Sequence, residues 1–306
     1  MDYFDLHCDT LYEMEKKKEG FFENSCHVSF DDASRFGRYA RIMAIWTRAG
    51  LSDDEGFLRY LAIRDHMKSR LSEGVSLCRT YDELECAEKN DAVPIFLAVE
   101  GANLLGGDIS RLDTLYDDGV RFLTLMWRGE TCIGGAYDTS IGLTDFGREV
   151  VLRCFDMGIT VDLSHASRKT TSEVLCMCGD VGGRVIMSHS NSYSVCAHDR
   201  NITDEEAISV ARLGGIIGVC FAPEHLSANG ADISDIAEHI DHYMSLGLCK
   251  SICIGADFDG VGALPRGING ERDIIRLYDM LLCRGYTREL LSRIFWQNAC
   301  DFIKNM

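Results

Sequence analysis

Two short apolar runs, Val161-Asp162-Leu163-Ser164-His165 and Val185-Ile186-Met187-Ser188-His189, close on the same Ser-His pair, 24 residues apart. Runs of β-branched and apolar residues read as buried strands. The segment between them is helix-like, and two strands joined through a helix are parallel neighbours of one sheet. Their terminal imidazoles then face one opening, which restricts the chain to folds that gather strand ends.

The same alternation runs through the whole chain. Strands are expected at 2–6, 38–46, 93–99, 119–126, 158–164, 184–188, 214–220 and 251–256. Helices are expected at about 54–72, from Ile109, at 144–157 with Thr144 as N-cap, after Thr203 with Glu206 closing a capping box, and at 233–247, 271–284 and 287–304. Eight strand–helix units in 306 residues fit an α/β fold of the (β/α)8 TIM type, as a single domain over 1–306. An open doubly wound sheet usually carries a glycine-rich phosphate turn after its first strand. Here that strand is followed by His7-Cys8-Asp9, and there is no GxGxxG or Walker sequence.

A formal net charge of −17 argues against nucleic acid and against an anionic membrane surface as partners. No export signal and no apolar run of about 18 residues is present, so a cytoplasmic location is expected. In that compartment the fourteen cysteines, none in a CxxC pair, read as reduced thiols and not as a disulfide framework.

In such a barrel the C-terminal strand ends carry the chemistry. Those ends hold His7, Asp9, Glu100, His165, His189 and Asp257. Each has an ordinary reading alone: a surface turn for His7-Cys8-Asp9, a strand-ending charge for Glu100, a core histidine for each Ser-His, an Asx turn for Asp257-Phe258-Asp259-Gly260. The last also opens like a calcium loop, but its twelfth position is Ile268, which excludes an EF-hand. Together, imidazoles and carboxylates suit zinc or another first-row divalent ion. Six groups exceed the needs of one tetrahedral ion and fit two ions bridged by a carboxylate. His239-x-x-His242 has helical spacing and no third ligand near it, and reads as a plain helix face.

The ordered set DLHCDT (5–10), AVEG (98–101), DLSH (162–165), VIMSHSNSYSVCAHDRN (185–201) and GADFDG (255–260) resembles the membrane (renal) dipeptidase family of zinc peptidases, a branch of the amidohydrolase-like barrels. The resemblance implies dipeptide hydrolysis through a hydroxide bridging two divalent ions, with zinc the expected metal. It implies His7 and Asp9 on one ion, Glu100 bridging, and His165 and His189 on the other. Arg200 is implied to hold the substrate carboxylate, Asp257 to act as an acidic group outside the main ligand set, and a homodimer to be the assembly. In proton-transfer terms Asp257 is the expected catalytic residue. Two departures stand out. Better-known members place a histidine in a Leu-Thr-His setting after the fourth strand, where this chain has Leu123-Thr124-Leu125-Met126-Trp127-Arg128. Trp127 is then the expected pocket wall, with Arg128 a possible substitute for the histidine. Glu100 is followed by Gly-Ala-Asn where relatives often have Gly-Gly-His. A hydrolase of another amide or a lactone, and a catalytically silent barrel that binds a small ligand, remain open beside the dipeptidase reading.

Overall fold

The computed structural model describes residues 1–48, 50–71 and 74–306. Nine strands form one all-parallel sheet: β1 (Tyr3–Cys8), β2 (Tyr39–Trp46), β3 (Val75–Cys78), β4 (Val93–Glu100), β5 (Val120–Thr124), β6 (Thr160–Asp162), β7 (Val185–Ile186), β8 (Ile217–Val219) and β9 (Ile252–Ile254). Eight follow one another in the order β7-β6-β5-β4-β2-β1-β9-β8. Met187 bridges Ile217 and so joins β7 to β8, which closes the barrel. All eight expected strands are present. The ninth, β3, pairs with residues 93–96 of β4, and β5 takes over at Leu97. It therefore lies beside the lower half of β4, outside the ring.

The barrel interior is legible from aromatic contacts that reach across it, between β1 and β4, and along its wall, between β4 and β5. Phe4 of β1 stacks on Phe96 of β4 at 6.0 Å, and Phe96 meets Phe122 of β5 at 6.4 Å. Trp296, from the C-terminal helical segment, plugs the floor 5.7 Å from Phe4. Side chains two residues further along a strand share its face. Thus Glu100 stands above Phe96 and Ala98, Thr124 above Phe122, and Ser188 above Ile186. An apolar plug is topped by a polar tier.

Helices cover the outside. Thr144 caps Asp145–Met157 by accepting from Gly147 N at 2.9 Å. Thr203 and Glu206 form the expected capping box on Asp204–Arg212. Such caps contribute about 1 kcal/mol each. The expected helix 271–284 begins as a 3₁₀ turn over Glu271–Asp273, and 287–304 is interrupted by a π-helical stretch at Arg293–Gln297. Helices at Thr10–Lys17 and Tyr81–Lys89 had no counterpart in the sequence reading. All fourteen cysteines are free thiols.

His239 is a structural histidine. It is fully buried, accepts from Ser192 N at 3.1 Å through Nδ1 and reaches Leu226 O at 3.1 Å through Nε2. His242 pairs with Asp204. Burial pushes the His239 imidazole down to about 4. Between that value and 6.5 the unfolded chain binds the proton that the folded chain refuses. Stability is full above pH 6.5 and falls on acidification, by about 1.4 kcal/mol per pH unit. Urea unfolding at pH 7.5 and pH 5 should show wild type losing about 2 kcal/mol more than His239→Gln. Parallel losses in the two proteins would refute this.

Candidate active site

The six rim residues meet at the top of the barrel. His7 is brought there by a bulge: Asp5 pairs with Arg41 and Cys8 with Met43, so three steps on β1 match two on β2. That extra residue lets His7 join the interior face occupied by Phe4 and Leu6. His7 Nε2 lies 3.5 Å from Asp9 Oδ2, 3.7 Å from Glu100 Oε2 and 3.9 Å from Asp257 Oδ1. On the other side, Glu100 Oε1 is 2.8 Å from His165 Nε2 and 3.5 Å from His189 Nε2, and those two nitrogens are 2.9 Å apart. One carboxylate thus spans two clusters of nitrogen and oxygen donors.

Several strands end one or two residues earlier than expected, among them the two that lead to the Ser-His pairs. β6 stops at Asp162 and β7 at Ile186, so both histidines lie three residues beyond the ends of their strands. The chain breaks off because Ser164 N and Ser188 N both donate to the Asp162 carboxylate at 3.0 Å, in place of a ladder partner. His165 (φ 69°) and Asp257 (φ 60°) then adopt left-handed backbone, which is uncommon for residues with a side chain. Such conformations concentrate at functional sites. Both turns swing a side chain over the barrel axis.

The electrostatics are those of a donor set crowded with negative charge. Burial and the nearby Glu100 push Asp9 up to about 6. Burial likewise raises Asp257 well above the carboxylate range, with Asp9 and Glu100 adding to it. Glu100 goes the other way: His7 and His165 outweigh its burial and hold it well below. Burial pulls His165 and His189 down, helped by Arg200, which favours the neutral form of both rings. His7 Nε2 and Asp9 Oδ1 are buried without any hydrogen-bond partner. Orphaned polar atoms of this kind are rare in native interiors. Ligand atoms of His7, Glu100 and His189, and of His7, Asp9 and Asp257, each gather within 4.8 Å. The residues fit divalent ions on those grounds.

The donors open on a pocket of about 110 Å³ bordered by Asp9, Tyr12, Trp46, Trp127, Asp257 and Gly260. A second cavity of about 490 Å³ shares Trp46, Glu100 and Trp127 with it and continues outward past Leu51, Asn103 and Thr131. Trp127 lies beyond β5, its ring 5.3 Å from Trp46 and 6.3 Å from His165, a wall between the two spaces. Arg128 is exposed, pairs with Asp138 at 3.1 Å and borders only the outer cavity. Arg200 is 3% exposed, donates to His189 O at 3.1 Å and Ser190 Oγ at 3.3 Å, and keeps a partnerless Nε. It sits behind His189 and is not among the residues lining either cavity.

Sequence reasoning missed the supports under this tier. Asp5 accepts from His7 N at 3.1 Å and Ala256 N at 3.0 Å, tying the ends of β1 and β9, and is itself paired with the fully buried Arg41. Asp162 and Ser188 were read only as members of apolar runs. A carboxylate inside such a run, Val-Asp-Leu, was the available signal.

A model of one family, "Membrane dipeptidase (Peptidase family M19)", matches residues 1–306. The chain belongs to the membrane dipeptidase family. Membership places it among metal-dependent dipeptidases. A curated relative, a protein of Klebsiella pneumoniae described as uncharacterized and from the pqqA 5′ region, is 26% identical over 259 residues, covering 80% of this chain and 94% of its own. Two solved structures share the fold. One is a metallopeptidase from Rhodobacter sphaeroides, liganded with a phosphinate mimic of the dipeptide L-Ala-D-Ala: TM-score 0.91, 22% identity, 99% of each chain. The other, a metallopeptidase called dipeptidase AC, gives 0.90 at 23% identity over 99% of this chain and 98% of that one. Despite the family's name, no helix among the described residues is long and apolar enough to cross a membrane.

In this dipeptidase family member the loop after β9 must come very close to the donors. A Cβ on Gly260 would lie 2.2 Å from both Asp257 Oδ1 and Asp9 Oδ2. Gly260→Ala should displace both carboxylates, lower bound metal and cut kcat/KM roughly 100-fold, the scale of a misplacement of about 1 Å. Wild-type turnover and metal content in that variant would contradict the placement.

Proposed function

We propose that the chain hydrolyses dipeptides with two zinc ions, one held by His7 and Asp9, one by His165 and His189, and both by Glu100. The observation that carries this reading is the pair of orphaned atoms, His7 Nε2 and Asp9 Oδ1, beside Glu100 and a small pocket that Asp9 and Glu100 line. Bound divalent ions supply a water of lowered pKa and a Lewis acid for the peptide carbonyl.

The residues supply the rest. Glu100 has an oxygen toward each half of the donor set, which suits a bridge. Asp257 borders the pocket and takes up a proton readily, because burial and neighbouring carboxylates favour its neutral form. It is placed to accept the proton from water and return it to the leaving amine. Trp46 and Trp127 exclude water from one side of the pocket. Arg200 lines neither cavity, so it holds the substrate's carboxylate only by moving out from behind His189; its unused Nε and its influence on both His165 and Asp257 support that role. A carboxylate required at one distance limits the substrate to two residues.

The test is release of amino acids from L-L and L-D dipeptides by zinc-loaded and chelator-stripped protein. Turnover that disappears on stripping and returns with about two zinc ions per chain is expected. Metal-loaded protein that cleaves no dipeptide would transfer the site to another amide or lactone. A chain that takes up no metal would remove the basis of the reading.

A further inference from the structure

We propose that Asp162 and Ser188 form an orienting relay that keeps the proton of His189 on Nδ1 and serves His7 from the same hydroxyl. One serine then presents Nε2 of a ring from each half of the donor set. The inference rests on the reading of His7 and His189 as metal ligands.

Proton counting carries the argument. Four donors converge on Asp162: Thr124 Oγ1 at 2.7 Å and Ser188 Oγ at 2.5 Å on Oδ2, and Ser164 N and Ser188 N at 3.0 Å each on Oδ1. That is the full complement two carboxylate oxygens accept. Ser188 has one hydroxyl proton, and the shortest of its contacts commits it to Asp162. Its oxygen is left with lone pairs alone. His189 Nδ1 lies 2.7 Å from that oxygen, so Nδ1 must be the N–H of a neutral ring. Nε2 then carries the lone pair, aimed at Glu100 and at the His165 ring. His7 Nδ1 lies 3.4 Å from the same oxygen, a weaker contact, and its Nε2 is the orphaned atom. The opposite tautomer would turn an N–H toward the cation.

The serine is fixed where it stands. A Cβ on Gly218 or Gly255 would fall 1.9 Å or 1.8 Å from Ser188 O, so the β8 and β9 backbones press directly against residue 188. Ser164 Oγ accepts from His189 N at 3.1 Å and holds the ring's own backbone. Asp162 and Ser188 are positioning residues, because both act through the rings.

Asp162→Asn is the decisive variant. Its amide, facing Ser188 with a donor, turns the hydroxyl proton toward His189 and moves the ring proton to Nε2. Side-chain ¹⁵N–¹H correlation spectra of the full chain, stripped of metal, read the tautomer directly. Zinc competition against a chromophoric chelator reads affinity. Wild type should show His189 protonated on Nδ1. Asp162→Asn should show Nε2–H and zinc bound 10- to 100-fold more weakly, the usual cost of losing such a partner. Ser188→Ala should weaken zinc to the same extent, and Ser188→Thr, which keeps the hydroxyl, should restore it. Wild-type tautomer and affinity in Asp162→Asn would overturn the relay, as would Ser188→Thr behaving like Ser188→Ala. A wild-type chain that binds no zinc yet carries its His189 proton on Nδ1 would sink the metal reading and leave the relay standing.

Discussion

Glu100→Gln is expected to reduce kcat/KM by roughly 1,000-fold or more, a loss of about 4 kcal/mol in transition-state stabilisation. Glu100 reaches both halves of the site through its carboxylate, with oxygens 2.8 Å from His165 Nε2 and 3.7 Å from His7 Nε2. Glutamine keeps the shape but removes the charge and one acceptor. Its NH₂ also aims donors at lone pairs that belong to a cation. On the proposed bridging role, metal content should fall in both halves of the site together, read by elemental analysis after gel filtration. The fold should persist, because an uncharged amide is cheaper to bury than an ionised carboxylate. A circular dichroism melt of stripped wild type and stripped variant separates loss of metal from loss of structure. Near wild-type turnover with full metal would mean that Glu100 bridges nothing.

Asp257→Asn should act on a different quantity. If Asp257 moves the proton, the variant keeps its metal and its KM while kcat drops by about 100- to 10,000-fold, the range that general acid–base groups supply. The substitution is a fair probe because asparagine tolerates left-handed backbone as well as aspartate does, and residue 257 has φ 60°. Asparagine also preserves the side chain's shape against Cys220 Sγ, 3.8 Å from Oδ2. Atomic absorption beside steady-state kinetics decides the matter. Loss of bound metal, with KM and kcat both disturbed, would make Asp257 a ligand and leave the proton transfer to another group.

The eight barrel strands and the six rim residues were legible because both rest on local signals, apolar runs and the polar residue that ends each. What stayed hidden depends on partners far away in sequence. The position of His7 follows from a bulge against β2, which no property of DYFDLHC announces. β3 has only Val75 and Cys78 buried among four residues, so it lacks the run or the alternation that marks a strand. Trp127 and the Ser-His pairs were placed at strand ends, yet the strands end up to three residues earlier. Asp162 captures the backbone donors there, and a strand pattern does not register a side chain that replaces a ladder bond. Arg41, inside a run of apolar residues, is the same case on the outer wall. Its partners Asp5 and Glu271 come from opposite ends of the chain.

The inner pocket and the outer cavity have only Trp46, Glu100 and Trp127 in common. Apart from Asn103, which follows Glu100 above β4, the rest of the larger space is lined from the segments above β2 and β5, which hold no donor atom of the inner cluster. Inheritance can therefore act on the two separately. Mutations drifting through the segments above β2 and β5 revise what is admitted, while the reacting centre passes unchanged from ancestor to descendant. Divergence of diet without divergence of chemistry is the outcome this partition favours.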